Sequence, residues 1–226
     1  MKFNRIHKEA KTIDGWLSKK EGELLFTLAS KVDSMSMVVE VGCYKGLSSF
    51  YLASGSKAGK GAKVLSVDTF EGSEEHKKGG ESVWTYNEFV ENMKIHGVDD
   101  IVVPKKERSH EAAKNFKGKI GLLFIDASHD YSDVIDDFVS WTPFLGENCY
   151  VAMHDTIMWP GPKKTAEEKL FKSPDFVVCG FSHSITYAVK RNKRFYDYIN
   201  GFFILQIKNL YETAVKAKRL FSSYFK

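Results

Sequence analysis

Short runs of aliphatic and β-branched residues alternate along the chain with longer stretches whose apolar positions recur every three to four residues. The short runs predict strands at Met37–Val41, Lys63–Asp68, Ile101–Val103 with Pro104 ending it, Ile120–Asp126 and Cys149–Met153, and two further edge strands at Phe176–Cys179 and Ile185–Val189. Helical spacing joins Leu24, Leu25, Leu28 and Val32 ahead of the first strand. It also joins Tyr86, Phe89, Val90 and Met93, and then Tyr131, Val134, Ile135, Phe138 and Val139. A further helix is expected from about Leu47 to Ala53. Strands alternating with helices predict βαβ units: an α/β fold, doubly wound, with a mostly parallel seven-stranded sheet and helices on both faces. The chain reads as one domain over 1–226, with a helical lead-in at 1–33, a core at 34–190 and a basic helix at 205–226. Two connections, Thr69–Val83 and Thr156–Pro174, are long for such a fold and start at strand carboxyl ends, where open α/β sheets bind ligands. The second is expected to hold a short helix at Thr165–Phe171.

Composition narrows the classes. With 226 residues, 43% hydrophobic, the chain can bury a sizeable core, and no apolar run approaches the roughly 20 residues that span a bilayer. The basic start lacks the apolar segment of a secretory signal. Three widely spaced cysteines, Cys43, Cys149 and Cys179, form no CxxC pair, so a disulfide framework is not expected and a reducing cytoplasm fits. A net charge of +4 gives no strong nucleic-acid signal.

The segment Glu40-Val41-Gly42-Cys43-Tyr44-Lys45-Gly46 carries the first strand into its helix. Gly42 permits a sharp turn, Gly46 permits close approach of a ligand or helix, and the helix start offers free N–H groups. A dinucleotide would place its pyrophosphate here, yet Tyr44 replaces the middle glycine of GxGxxG and Glu40 would repel a diphosphate. An acid beside a glycine turn suits a cation such as an α-ammonium or a sulfonium. Asp68 ends the second strand, where an acid accepts from ribose hydroxyls. Together these residues describe a phosphate-free, adenosine-type cofactor site. Taken alone, Asp68 also reads as a helix or turn cap.

These segments, with Ile13-Asp14-Gly15-Trp16-Leu17-Ser18, Asp68-Thr69-Phe70-Glu71-Gly72, Phe124-Ile125-Asp126-Ala127-Ser128-His129-Asp130-Tyr131 and His154-Asp155-Thr156, resemble the class I S-adenosylmethionine-dependent methyltransferases. More narrowly, they resemble the branch with sugar and macrolide-sugar O-methyltransferases. The resemblance spans roughly residues 13–190 and implies a Rossmann-like sheet. It implies that Glu40, Gly42, Tyr44 and Ser48, with Cys43 and Gly46, line the methionine end of the cofactor. Asp68 and Thr69 would hold the ribose, Ser109 would approach the adenine, and Asp126 would complete the site. Arg108–Glu111 also reads as a helix start.

Methyl transfer from a sulfonium needs mainly positioning, and a hydroxyl acceptor also needs its proton taken. Asp126 with His129 follows the fourth strand and His154-Asp155 follows the fifth, so both clusters face one crevice. By resemblance, His129 is the base, with Asp126 and His154 beside it, and Asp126 and Asp155 hold a divalent cation such as Mg²⁺. His154 stands where the branch tends to have a carboxylate, which leaves a softer ion or a metal-free site open. Asp130 reads as the cap of the helix at Tyr131. His7, His76, His96, His110 and His183 receive no role. The expected acceptor is a sugar, a glycan-linked unit or another small hydroxylated molecule. An NAD-type oxidoreductase or a non-catalytic binding module on the same sheet are the alternatives. The basic amphipathic tail with Lys208, Lys216, Lys218, Arg219 and Lys226 suits a membrane surface, a partner subunit in a homo-oligomer, or docking on its own domain.

Overall fold

The computed structural model describes residues 3–72 and 83–224. The chain runs α1 (Phe3–Ala10), α2 (Lys19–Ser30), β1 (Met37–Val41), α3 (Leu47–Ala58), β2 (Val64–Asp68), α4 (Tyr86–Ile95), β3 (Val102–Lys106), α5 (Ser109–Asn115), β4 (Ile120–Ile125), α6 (Tyr131–Trp141), β5 (Leu145–Met153), α7 (Pro160–Ala166), β6 (Phe176–Ser182), β7 (Ile185–Lys190) and α8 (Phe195–Tyr224). The seven strands form one sheet in the order β3-β2-β1-β4-β5-β7-β6. β1, β2, β3, β4 and β5 pair in parallel, and β7 runs antiparallel between β5 and β6.

Alternation along the central strands sorts side chains onto two faces. Val38, Leu122 and Phe124 pack with Leu25, Phe50 and Phe89 under α2, α3 and α4. Val39, Leu123 and Ile125 pack with Val134, Phe138 and Trp141 under α6. β4 is buried at all six positions, as a central strand covered on both faces must be. The strand order turns outward in both directions from β1 and β4, so their carboxyl ends frame the crevice where such sheets take ligands.

The differences from expectation have local causes. β3 continues through Pro104, which pairs with Ser66; β3 is the sheet edge, where the missing N–H costs no ladder bond. β5 begins at Leu145, four residues early, through polar Glu147 and a left-handed Asn148 (φ 59°). α3 extends to Ala58. The helix expected at Thr165 starts at Pro160, whose missing N–H suits a first turn, and continues as a π turn over Glu167–Phe171. α8 begins at Phe195 rather than 205. Asp130 holds the cap position of α6, but its side chain makes no capping bond. Most of the connection after β2, with His76, and the terminal Lys226 lie outside the described residues.

Candidate functional site

Asp68 organises the turn after β1. Its Oδ2 accepts from the Cys43 and Tyr44 amides at 2.8 and 2.9 Å, and Oδ1 accepts from the Phe70 amide at 2.8 Å. Gly42 takes φ +83°, and a Cβ there would lie 2.3 Å from the Asp126 carbonyl oxygen, so the turn lies against the chain leaving β4. Tyr44 is itself left-handed at φ 45°. The amides that would cradle a pyrophosphate are thus spent on a carboxylate. A diphosphate would meet that charge instead of donors, which disfavours the dinucleotide alternative.

Above this turn opens a cleft of about 710 Å³, walled by Gly42, Cys43, Tyr44, Ser48, Asp68, Thr69, Ser109, Asp126, His129, His154 and Asp155. The structure brings these predicted residues together. Two others are placed elsewhere. Gly46 (φ +94°) stands off the cleft wall, and a Cβ there would meet Met93 Cε at 2.6 Å, so its missing side chain permits the close approach of α4. Glu40 is fully buried beneath the turn instead of lining the cleft. Its Oε2 accepts from the Ser49 and Ser66 hydroxyls, while Oε1 is buried without a hydrogen-bond partner. Ser109 reaches the wall, but its Oγ accepts from Trp141 Nε1 at 2.9 Å, so the hydroxyl is engaged in packing α5 on α6.

Burial pushes the Glu40 carboxyl up to about 7, against the opposing serine donors. Between its ordinary value of 4.5 and about 7, the folded chain therefore holds a proton that the unfolded chain has released, and stability falls as pH rises through that window. Glu40→Gln is expected to flatten this stretch of the urea-unfolding pH profile and to gain on the order of 3 kcal/mol at pH 8. Identical pH slopes for both proteins would contradict the assignment.

At the neighbouring strand ends, His154 is 6% exposed and sits among acids. Its Nδ1 lies 2.9 Å from Asp126 Oδ1 and 3.3 Å from Asp155 Oδ2, and its Nε2 lies 3.3 Å from Glu21 Oε1. Burial alone would lower its pKa, but the Asp126 charge and hydrogen bond and the close Asp155 and Glu21 carboxylates outweigh it and raise it well above the ordinary imidazole value. Asp155 is left-handed at φ 57°, strain that a site-forming residue can retain. Burial opposes its ionisation, and the two histidines reverse that and hold it well below the usual carboxylate range. Asp126 is pushed up by burial, with His154 opposing. His129 Nε2 lies 2.9 Å from Asp155 Oδ2, and its ring stacks on Trp159 with centroids 3.8 Å apart and planes 7° apart. A ring that donates Nε2–H to Asp155 has its tautomer and orientation set by that carboxylate, as an imidazole that moves a proton requires.

Asp126, His154 and Asp155 offer three donor atoms within 4.8 Å of one another, a spacing that a single cation could bridge only in place of the His154 ring proton. Mg²⁺ prefers oxygen alone, so an imidazole beside two carboxylates suits an ion that also takes nitrogen, such as borderline Fe²⁺ or the more adaptable Mn²⁺.

Several cleft residues escaped the sequence reading. Glu21 belongs to a capping box with Ser18, a readable signal. Oε2 accepts from the Ser18 amide at 2.7 Å, and Oε1 accepts from the Ser184 amide and hydroxyl at 2.9 and 2.8 Å; burial notwithstanding, the adjacent His154 holds the carboxyl down to about 2. Trp16, Trp159, His183, Tyr211 and Arg219 also line the cleft. Nothing local in the sequence signals their convergence.

A methyltransferase-domain family model matches residues 39–156. A Sinorhizobium fredii protein described as "Uncharacterized protein y4gI" is 29% identical over 121 residues, 53% of this chain; the match spans 13% of that relative's length. Among solved structures, the O-methyltransferase NovP superposes with TM-score 0.65 at 17% identity, covering 78% of this chain and 81% of its own. The O-methyltransferase TomG from Streptomyces achromogenes, in complex with SAM, gives TM-score 0.58 at 16% identity, covering 84% and 88%. The cleft at the β1–β4 junction, its acid-occupied turn and the matched segment agree: the chain belongs to the methyltransferase-domain family and has the fold of the class I S-adenosylmethionine-dependent methyltransferases.

Proposed function

We propose that the protein transfers a methyl group from S-adenosylmethionine to a hydroxyl of a small acceptor, a sugar or glycan-linked unit being the expected class. The observation carrying this reading is the His129–Asp155 pair at a strand end, 2.9 Å apart, in the same cleft as the Asp68-held turn. NovP and TomG, both described as O-methyltransferases, support it by fold.

The cleft residues fit the donor: the turn after β1 is held by the Asp68 carboxylate, so its Cys43 and Tyr44 amides are not offered to a phosphate. S-adenosylmethionine supplies a methyl group already activated on a sulfonium. Gly42, Tyr44 and Ser48 shape the methionine end, and Asp68, with three acceptor sites given to the turn, keeps roughly one more for a ribose hydroxyl. Trp159 holds the His129 ring flat and Asp155 orients it, so that the imidazole takes the acceptor's proton as the oxygen attacks the methyl group. His154, held between Asp126, Asp155 and Glu21, keeps the two aspartates in place. With the His154 proton displaced, Asp126, His154 and Asp155 are the residues that would hold a divalent cation, which would polarise the acceptor oxygen.

Incubation with methyl-labelled S-adenosylmethionine and a panel of sugars, nucleotide-sugars and phenols tests the proposal. Label transfer to a hydroxyl is the expected result. Transfer only to nitrogen or carbon acceptors would overturn the O-methylation reading. In the same assay, chelated enzyme is expected to recover with Mn²⁺ more than with Mg²⁺; activity indifferent to chelation would remove the cation.

A further inference from the structure

The helix α8 has two apolar faces. One packs on the domain: Lys208 is fully buried and donates to the Thr156 carbonyl at 2.5 Å, Glu212 binds Lys163 at 2.7 Å, and Tyr211 lines the cleft. The other face is exposed. Phe195, Ile199, Phe202, Phe203, Leu210 and Phe221 stand on one side of the helix at helical spacing, each 43% exposed or more, with Phe195 at 81% and Leu210 at 71%. The positions between them on that side, Gln206, Thr213 and Ala217, are uncharged.

Charge on α8 is sorted in the same way. Its two acids, Asp197 and Glu212, are buried in ion pairs, Asp197 with Arg191 at 2.9 Å and Glu212 with Lys163 and Lys216. From Tyr198 to Thr213 the helix exposes no charge at all. Beyond that, Lys216 and Lys218 flank the apolar side on its two borders, and exposed Arg194 precedes the helix. The resulting surface is an apolar stripe of about 40 Å with cations at its rim and no exposed acid among the described residues of the helix.

A second copy pairing through this stripe would set cations against cations. Antiparallel helices would bring Arg194 toward the partner's lysines, and parallel ones would juxtapose the lysines themselves, with no exposed acid on the described part of the helix to meet either. An anionic lipid surface matches both features: it takes aromatic and aliphatic side chains at the level of the headgroups, and lysines beside them snorkel to the phosphates. We propose that the exposed face of α8 docks the protein on anionic membranes. Because Tyr211, Val215 and Arg219 line the cleft from the other side of the same helix, docking holds the cleft within about one helix diameter, 10–12 Å, of the lipid plane. The proposal does not depend on which acceptor is methylated.

The test is co-sedimentation of the full chain with vesicles of phosphatidylcholine alone and with about a third phosphatidylglycerol, alongside light scattering for oligomeric state. The expected result is at least about a tenfold preference for the anionic vesicles, suppressed near 1 M salt. The preference should be lost in Phe202→Glu/Phe203→Glu/Leu210→Glu and reduced several-fold in Lys216→Gln/Lys218→Gln, which leaves the apolar stripe intact. Calorimetry with S-adenosylhomocysteine on each variant reads the cofactor site separately, so a failure there counts against the methyltransferase reading and not against docking. Folded wild-type protein that ignores both vesicles, or a solution dimer that the triple variant dissociates without any vesicle binding, would overturn the proposal; the latter would make the stripe a subunit interface.

Discussion

His129→Ala is expected to lower turnover by about 10²–10⁴-fold while leaving S-adenosylhomocysteine affinity within about twofold. The imidazole is placed for proton transfer: Asp155 accepts from Nε2 at 2.9 Å, and Trp159 stacks on the ring 3.8 Å away. Neither contact belongs to the turn at Asp68, so cofactor affinity should survive. Asp155→Asn retains a hydrogen-bonding side chain but loses the charge that sets the tautomer, and its loss should fall mainly in kcat. A His129→Ala enzyme with full turnover would end the general-base role, leaving the ring as packing for Trp159.

Gly42→Ala is expected to abolish cofactor binding and to destabilise the fold by more than about 3 kcal/mol. Two costs add. The backbone there sits at φ +83°, where a Cβ costs about 1–2 kcal/mol, and that Cβ would lie 2.3 Å from the Asp126 carbonyl oxygen and 2.6 Å from Ala127 Cα. Both obstructing atoms are main chain, so relief requires moving the start of the β4–α6 connection that carries Asp126 and His129. Urea unfolding and calorimetry on the same preparation check the two effects together. A variant of wild-type stability that still binds S-adenosylhomocysteine would show that the turn tolerates a side chain and can shift.

Much of this was legible in the sequence because period and position carry it. Val38/Val39 and Leu122/Leu123 alternate between two cores, and that alternation is visible as β-type runs between helical ones. Strand-end position alone marked Asp68, Asp126 and Asp155 as cleft residues. Local reading failed where tertiary context decides. Pro104 stays in a strand because that strand is an edge, and sheet order cannot be read from a single run. Glu40 looks like a ligand acid, yet whether its carboxylate points up into the cleft or down onto Ser49 and Ser66 is settled by packing. Glu21 shows its capping box, but its contact with Ser184 joins residues 163 positions apart. The tail reads as basic and amphipathic. Only the structure shows that Lys208 faces inward and that Phe195–Phe203 extend the helix on its exposed side.

The central claim is that the Asp68-held turn and the cleft above it accept an adenosyl sulfonium. Titration calorimetry of the full chain with S-adenosylhomocysteine, with NAD⁺ in a parallel cell, tests it most directly. The account predicts one site per chain with micromolar affinity for S-adenosylhomocysteine, weakened at least about tenfold by Asp68→Ala, and no heat from NAD⁺. A folded protein silent to millimolar S-adenosylhomocysteine, or one that binds NAD⁺ in its place, would contradict it.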